Sequence, residues 1–156
     1  MQRRAISSDF SLMCELRSSR PAIISTETLR HLKMSTLKSK YEIYNDINDS
    51  PRGYVAWADI SFETLTRFLR TGNYPKYLYE WDEGRIRVLL DVFIIRQASD
   101  PPTPYLLKAL VRDADFVVVV RRGKIKCYAS RGGRIRALRL NDIFEASLHG
   151  RQRGAA

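Results

Sequence analysis

The chain has 156 residues, 44% of them hydrophobic and 28% charged, which suits one folded domain with a real core and excludes a disordered chain. With 27 Lys and Arg against 17 Asp and Glu, the formal charge is +10. That balance suits an acidic partner (nucleic acid, anionic headgroups or an acidic protein) without selecting among them.

Residues 1–9 form an expected flexible basic leader that lacks the apolar stretch of a signal peptide. From Asp9 to Leu37 the pattern is helical, with Asp9 as expected N-cap and Phe10, Met13 and Cys14 at helical spacing. Pro21 breaks this segment, and a second helix is expected near Ser25 or Thr26 with Glu27 in its first turn. The period then changes to two: Tyr41 and Ile43 alternate with polar residues, the turn-rich NDINDSPRG follows, and 54–58 completes a hairpin. Ser61 is the expected cap of a helix whose stripe of Phe62, Leu65, Phe68 and Leu69 ends at Gly72.

The segment GRIRVLLDVFII is the strongest strand of the chain, and apolar residues on both its faces predict a central position. A Pro-rich loop, a short helix at 105–111 and a hairpin turning at Arg122-Gly123 follow, with Cys127 as a buried strand thiol. A turn at Arg131-Gly132-Gly133-Arg134, a basic stretch and a helix from about Asn141 close the chain. The expected fold class is α+β, a mostly antiparallel sheet flanked by helices. One domain spans 10–148, and 149–156 is a frayed tail. No apolar run approaches the roughly 20 residues of a membrane helix. Cys14 and Cys127 form no CxxC pair, so a metal cluster or disulfide framework is not expected, and the expected location is the cytoplasm.

Three segments in order carry a family resemblance: GYVAWADIS at 53–61, then Trp81, Gly84 and Asp91 around an apolar strand, then GKIKCYASRGGRIR. Together they resemble the toxin-activating lysine-acyltransferases, the hemolysin C-type activators of RTX toxins, over residues 11–145. The resemblance implies a fold related to the GNAT acetyltransferases and an acyl chain taken from acyl carrier protein. It implies delivery of that chain to internal lysines of an RTX protoxin, with possible homodimers and no bound cofactor.

Lysine near pKa 10.4 is protonated at neutral pH, so acyl transfer needs a base and donors for the oxyanion. The resemblance places the orienting carboxylate at Asp91. The family's histidine position falls at or near Arg20, and a guanidinium cannot serve as a base. His31 is the candidate for that role, because His149 lies in the tail. Arg20, Arg85, Arg87, Arg131 and Arg134 are candidate contacts for the acidic carrier, Arg85 and Arg87 alternating on one strand. Two other readings compete. One is a non-catalytic relative that binds the carrier or toxin. The other is a basic nucleic-acid module using Tyr77, Tyr79, Tyr105 and Tyr128, which no recognised signature supports.

Overall fold

Two serines start helices in the same way. Ser25 accepts a hydrogen bond from the Thr28 amide to open α2 (Thr26–Leu37), and Ser61 accepts from the Thr64 amide to open α3 (Phe62–Thr71). Each supplies an acceptor to a first-turn N–H that has no partner within its helix. Gly72, at φ 70°, closes α3 in the left-handed conformation that a side chain would resist. The computed structural model describes residues 2–21, 23–95, 110–121, 124–131 and 134–145.

α1 runs from Gln2 to Ser18, so most of the expected flexible leader is helical and Asp9 is not its cap. The Gln-Arg-Arg-Ala start favours helix and lets it extend backwards. The Asp9 carboxylate instead accepts from the Tyr41 hydroxyl at 2.5 Å, which ties α1 to the first strand.

The strands are β1 (Tyr41–Asn45), β2 (Pro51–Ile60), β3 (Ile86–Ile94), β4 (Phe116–Arg121), β5 (Lys124–Arg131) and β6 (Arg134–Leu138). They form one sheet in chain order, antiparallel throughout except for the parallel pair β3–β4. The fold is α+β. The parallel pairing runs from Ile86 opposite Phe116 to Leu89 opposite Val119; beyond it, β3 pairs among the described residues with β2.

One face of the sheet is covered by helices. Met13, Leu16 and Leu32 pack on Tyr54, Ala56 and Phe93, while Leu65, Phe68 and Trp81 pack on Ala58, Ile60, Val88 and Val118. Residues 140–145 are helical and bury Ile143 in the same layer. On the opposite face Val55, Trp57, Leu89 and Val117 pack with Leu110 and Val111. The expected helix at 105–111 is described only at 110–111, which are helical; the rest, with Tyr105, the tail and His149, lies outside the described residues.

That second face holds a buried charge cluster. The Arg87 guanidinium donates to Asp59 at 2.9 and 3.2 Å and to the Leu110 carbonyl at 2.8 Å, and it stacks on Trp57. Lys40 bridges Asp59 at 2.9 Å and Asp82 at 2.6 Å. Burial draws the Lys40 pKa down, but its bonds to the two carboxylates outweigh this and hold it above the ordinary value.

Two glycines of the resemblance motifs sit where chains meet. A Cβ on Gly84 would lie 2.1 Å from the Ile60 carbonyl oxygen, and one on Gly53 would lie 2.4 Å from that of Phe93. Both obstacles are backbone, which cannot swing aside. Gly84→Ala is expected to destabilise the domain by about 1–3 kcal/mol, as overpacking does. Urea unfolding measures it, and an unchanged midpoint would contradict the close approach.

Candidate active site

The register of β2 against β3 slips by one residue. Ala56 faces Asp91 while Trp57 faces Leu89, so Leu90 is the extra residue of a β-bulge. Under strict alternation Asp91 would point with Leu89 to the second face. The bulge turns it instead to the helix-covered face, among Tyr54, Phe93 and α1.

There the Tyr54 hydroxyl donates to Asp91 Oδ2 at 2.6 Å, and Arg17 Nη2 stands 3.6 Å from Oδ1. Tyr54 is completely buried. Burial first, and then the bond to Asp91, push its pKa well above the ordinary tyrosine value, so the hydroxyl keeps its proton and remains a donor. The Tyr54 and Phe93 rings stack at 6.1 Å. Arg17 and Arg20 both lie over the Phe93 ring, their guanidinium carbons 5.5 and 5.6 Å from its centroid.

His31, on α2, is buried beneath the same face. Its ring meets Tyr74 edge-on at 4.7 Å and lies 6.0 Å from Trp81. Burial lowers its pKa; Glu27 and Asp91 pull the other way, and Arg30 adds to the lowering. A neutral imidazole at pH 7 is the form that can accept a proton. The charge of Asp91 thus reaches His31, although no hydrogen bond joins them among the described residues.

The remaining sequence candidates are dispersed. Arg85 is exposed and paired with Asp115 at 3.0 Å. Arg87 is buried on the opposite face with its guanidinium bonded to Asp59 and Leu110, so it does not join Arg85 in a surface patch. Alternation gave its direction, but it could not reveal the residues that cover it. Arg134 is exposed on β6, and the Arg131 side chain lies outside the described residues. The tyrosines are also divided: Tyr77 and Tyr79 stack in the open beside the 3-10 helix Leu78–Trp81, whereas Tyr128 packs on the second face.

Arg17 and Tyr54 are the members of the site that sequence patterning missed. A signal for Arg17 existed: it follows the buried Met13 by four residues, which places it beside the buried stripe of α1. Among the described residues no group of three or more His, Cys, Asp or Glu is placed to hold a metal. In comparison with known proteins, no family model and no curated protein matches the chain.

The lowered pKa of His31 sets a sign for stability. Its contribution is complete above the unfolded value near 6.5 and is lost as the pH falls toward the lower folded value. The melting temperature should therefore drop more steeply between pH 7 and pH 5 in the wild type than in His31→Gln. Parallel curves would contradict the burial of a neutral imidazole.

Proposed function

We propose that the chain is a protein-lysine acyltransferase that takes a fatty acyl group from acyl carrier protein and places it on internal lysines of an RTX-type protoxin in the cytoplasm. The single observation that carries this reading is the β3 bulge, which turns Asp91 to the face where His31 is held neutral. A family resemblance at the sequence level supplies the substrate class. The parting of β3 from β4 after Leu89 supports the relation to GNAT acetyltransferases.

The chemistry assigns each residue a step. The Asp91 carboxylate attracts the substrate lysine ammonium, and His31 takes one proton to free the amine. The amine attacks the thioester carbonyl. Main-chain N–H groups of β3 beyond Leu89 serve the oxyanion, with the protonated Tyr54 hydroxyl holding Asp91 in place. Collapse of the tetrahedral intermediate breaks the carbon–sulfur bond and the imidazolium gives its proton to the leaving thiolate; the freed imidazole then takes the remaining excess proton from the new amide nitrogen and releases it to water. No metal enters this sequence.

One observation favours a second reading, a non-catalytic relative that binds the carrier or the toxin. The ion-pair partner of Asp91 is Arg17, one turn from Arg20, rather than His31. Such a protein would keep the fold and the basic surface while Arg17 neutralised the carboxylate.

A transfer assay decides between them. The chain is incubated with acyl-loaded carrier protein and a protoxin fragment, and mass spectrometry reads lysine acylation. The enzyme reading expects transfer by the wild type and a loss of about 10²–10⁴-fold in His31→Gln and in Asp91→Asn. Carrier binding without acylation would replace it with the binding reading. Absence of both binding and transfer would overturn the two together.

A further inference from the structure

Arg17 is the least satisfied charged group in the site. Its Nε is buried without a hydrogen-bond partner, and its Nη2 stands 3.6 Å from Asp91, too far for a hydrogen bond. A guanidinium has five N–H donors in a rigid fork, and a buried donor left unpaired is costly. Arg20 lies one turn further along the chain, is exposed, and makes no ion pair with a described residue. Arg17 and Arg20 are three residues apart, and both guanidinium carbons lie within 5.6 Å of the Phe93 ring centroid. Two like charges beside one ring, with Asp91 the carboxylate that pairs with Arg17 among the described residues, leave a surplus of positive charge.

We infer that Arg17 and Arg20 form a clamp for a phosphoryl group. The argument is one of counting donors and acceptors. Asp91 already shows what one carboxylate achieves here: it stands beside Arg17, gives one oxygen to Tyr54, and leaves Nε unpaired. A tetrahedral phosphoryl group presents three or four oxygens and so can meet two forks at once, the arrangement for which arginine is favoured. The Phe93 ring lies at cation–π distance from both guanidinium carbons and shields the partly buried Arg17, which strengthens that group's bonds to an anion. Asp91 is then the resident competitor, since its carboxylate shares Arg17 with the incoming group.

This inference rests on Asp91 and its neighbours being the functional site, but its test does not pass through acyl transfer. Inorganic phosphate is titrated into the full chain at constant ionic strength set with chloride, and the Nε–Hε signals of both arginines are followed by NMR. Dimethyl phosphate and acetate are titrated in parallel. The clamp predicts saturable shifts of both signals with phosphate, weaker ones with the monoanionic diester, and none with acetate at the same concentration. Arg20→Gln, at an exposed position, should weaken phosphate binding about tenfold, the loss of one charge-assisted bond. Asp91→Asn should tighten it severalfold, because the competitor is removed. No saturable shift, equal response to acetate, or weaker phosphate binding in Asp91→Asn would overturn the clamp. Phosphate binding without acyl transfer would refute the enzyme reading and leave the clamp intact; transfer without phosphate binding would do the reverse.

Discussion

One extra residue in the central strand governs which side chains gather around the carboxylate of Asp91. With Leu90 bulged out of the β2–β3 ladder, Leu90 and Asp91 both point to the helix-covered face. Tyr54, Phe93 and α1 then surround the carboxylate, and His31 lies within its electrostatic reach. Bulges interrupt pairing and cost ladder hydrogen bonds, so one in the middle of a sheet is justified by what it re-aims. Here it re-aims the only acidic residue of β3.

The sheet carries a built-in control for that carboxylate. Asp59, on β2, is also buried, but it receives two bonds from Arg87 and one from Lys40. Its charge is fully answered, and its work is to tie β2, β3 and the segment near Leu110 together. Removing one partner of such a cluster typically costs about 3–5 kcal/mol, because the other is left buried and uncompensated. Asp91 is treated differently. It has a hydroxyl donor and one long ion pair, and the arginine facing it keeps a buried Nε unpaired. A carboxylate held but not saturated retains capacity for an incoming cation, and an arginine in the same condition retains capacity for an anion. The two aspartates share a sheet and differ in how fully their charge is answered.

What was legible in the sequence was local. Ser61 and Gly72 announced α3, Ser25 announced α2, and the apolar run before Asp91 announced a central strand; each is fixed by a few neighbouring residues. Cys127 is the buried strand thiol that its surroundings implied, and burial pushes its pKa up. The illegible features depend on partners distant in the chain. The bulge is a mismatch between two strands, and neither alone records it. Arg87 resembles a surface arginine until Asp59, 28 residues earlier, and the Leu110 carbonyl enclose it. The extension of α1 back to Gln2 was not announced by residues 2–8, which show no clear apolar stripe; its tie to β1 comes from Tyr41, 32 residues after Asp9.

Asp91 faces the helices, where its charge favours the imidazolium form of His31. The most direct test is an NMR titration of the His31 imidazole, its signal identified by comparison with His149→Gln, in the wild type and in Asp91→Asn. Removing a negative charge that favours the imidazolium must lower the pKa, so Asp91→Asn should titrate below the already lowered wild-type value. An unchanged titration would place Asp91 out of reach of His31 and contradict the site.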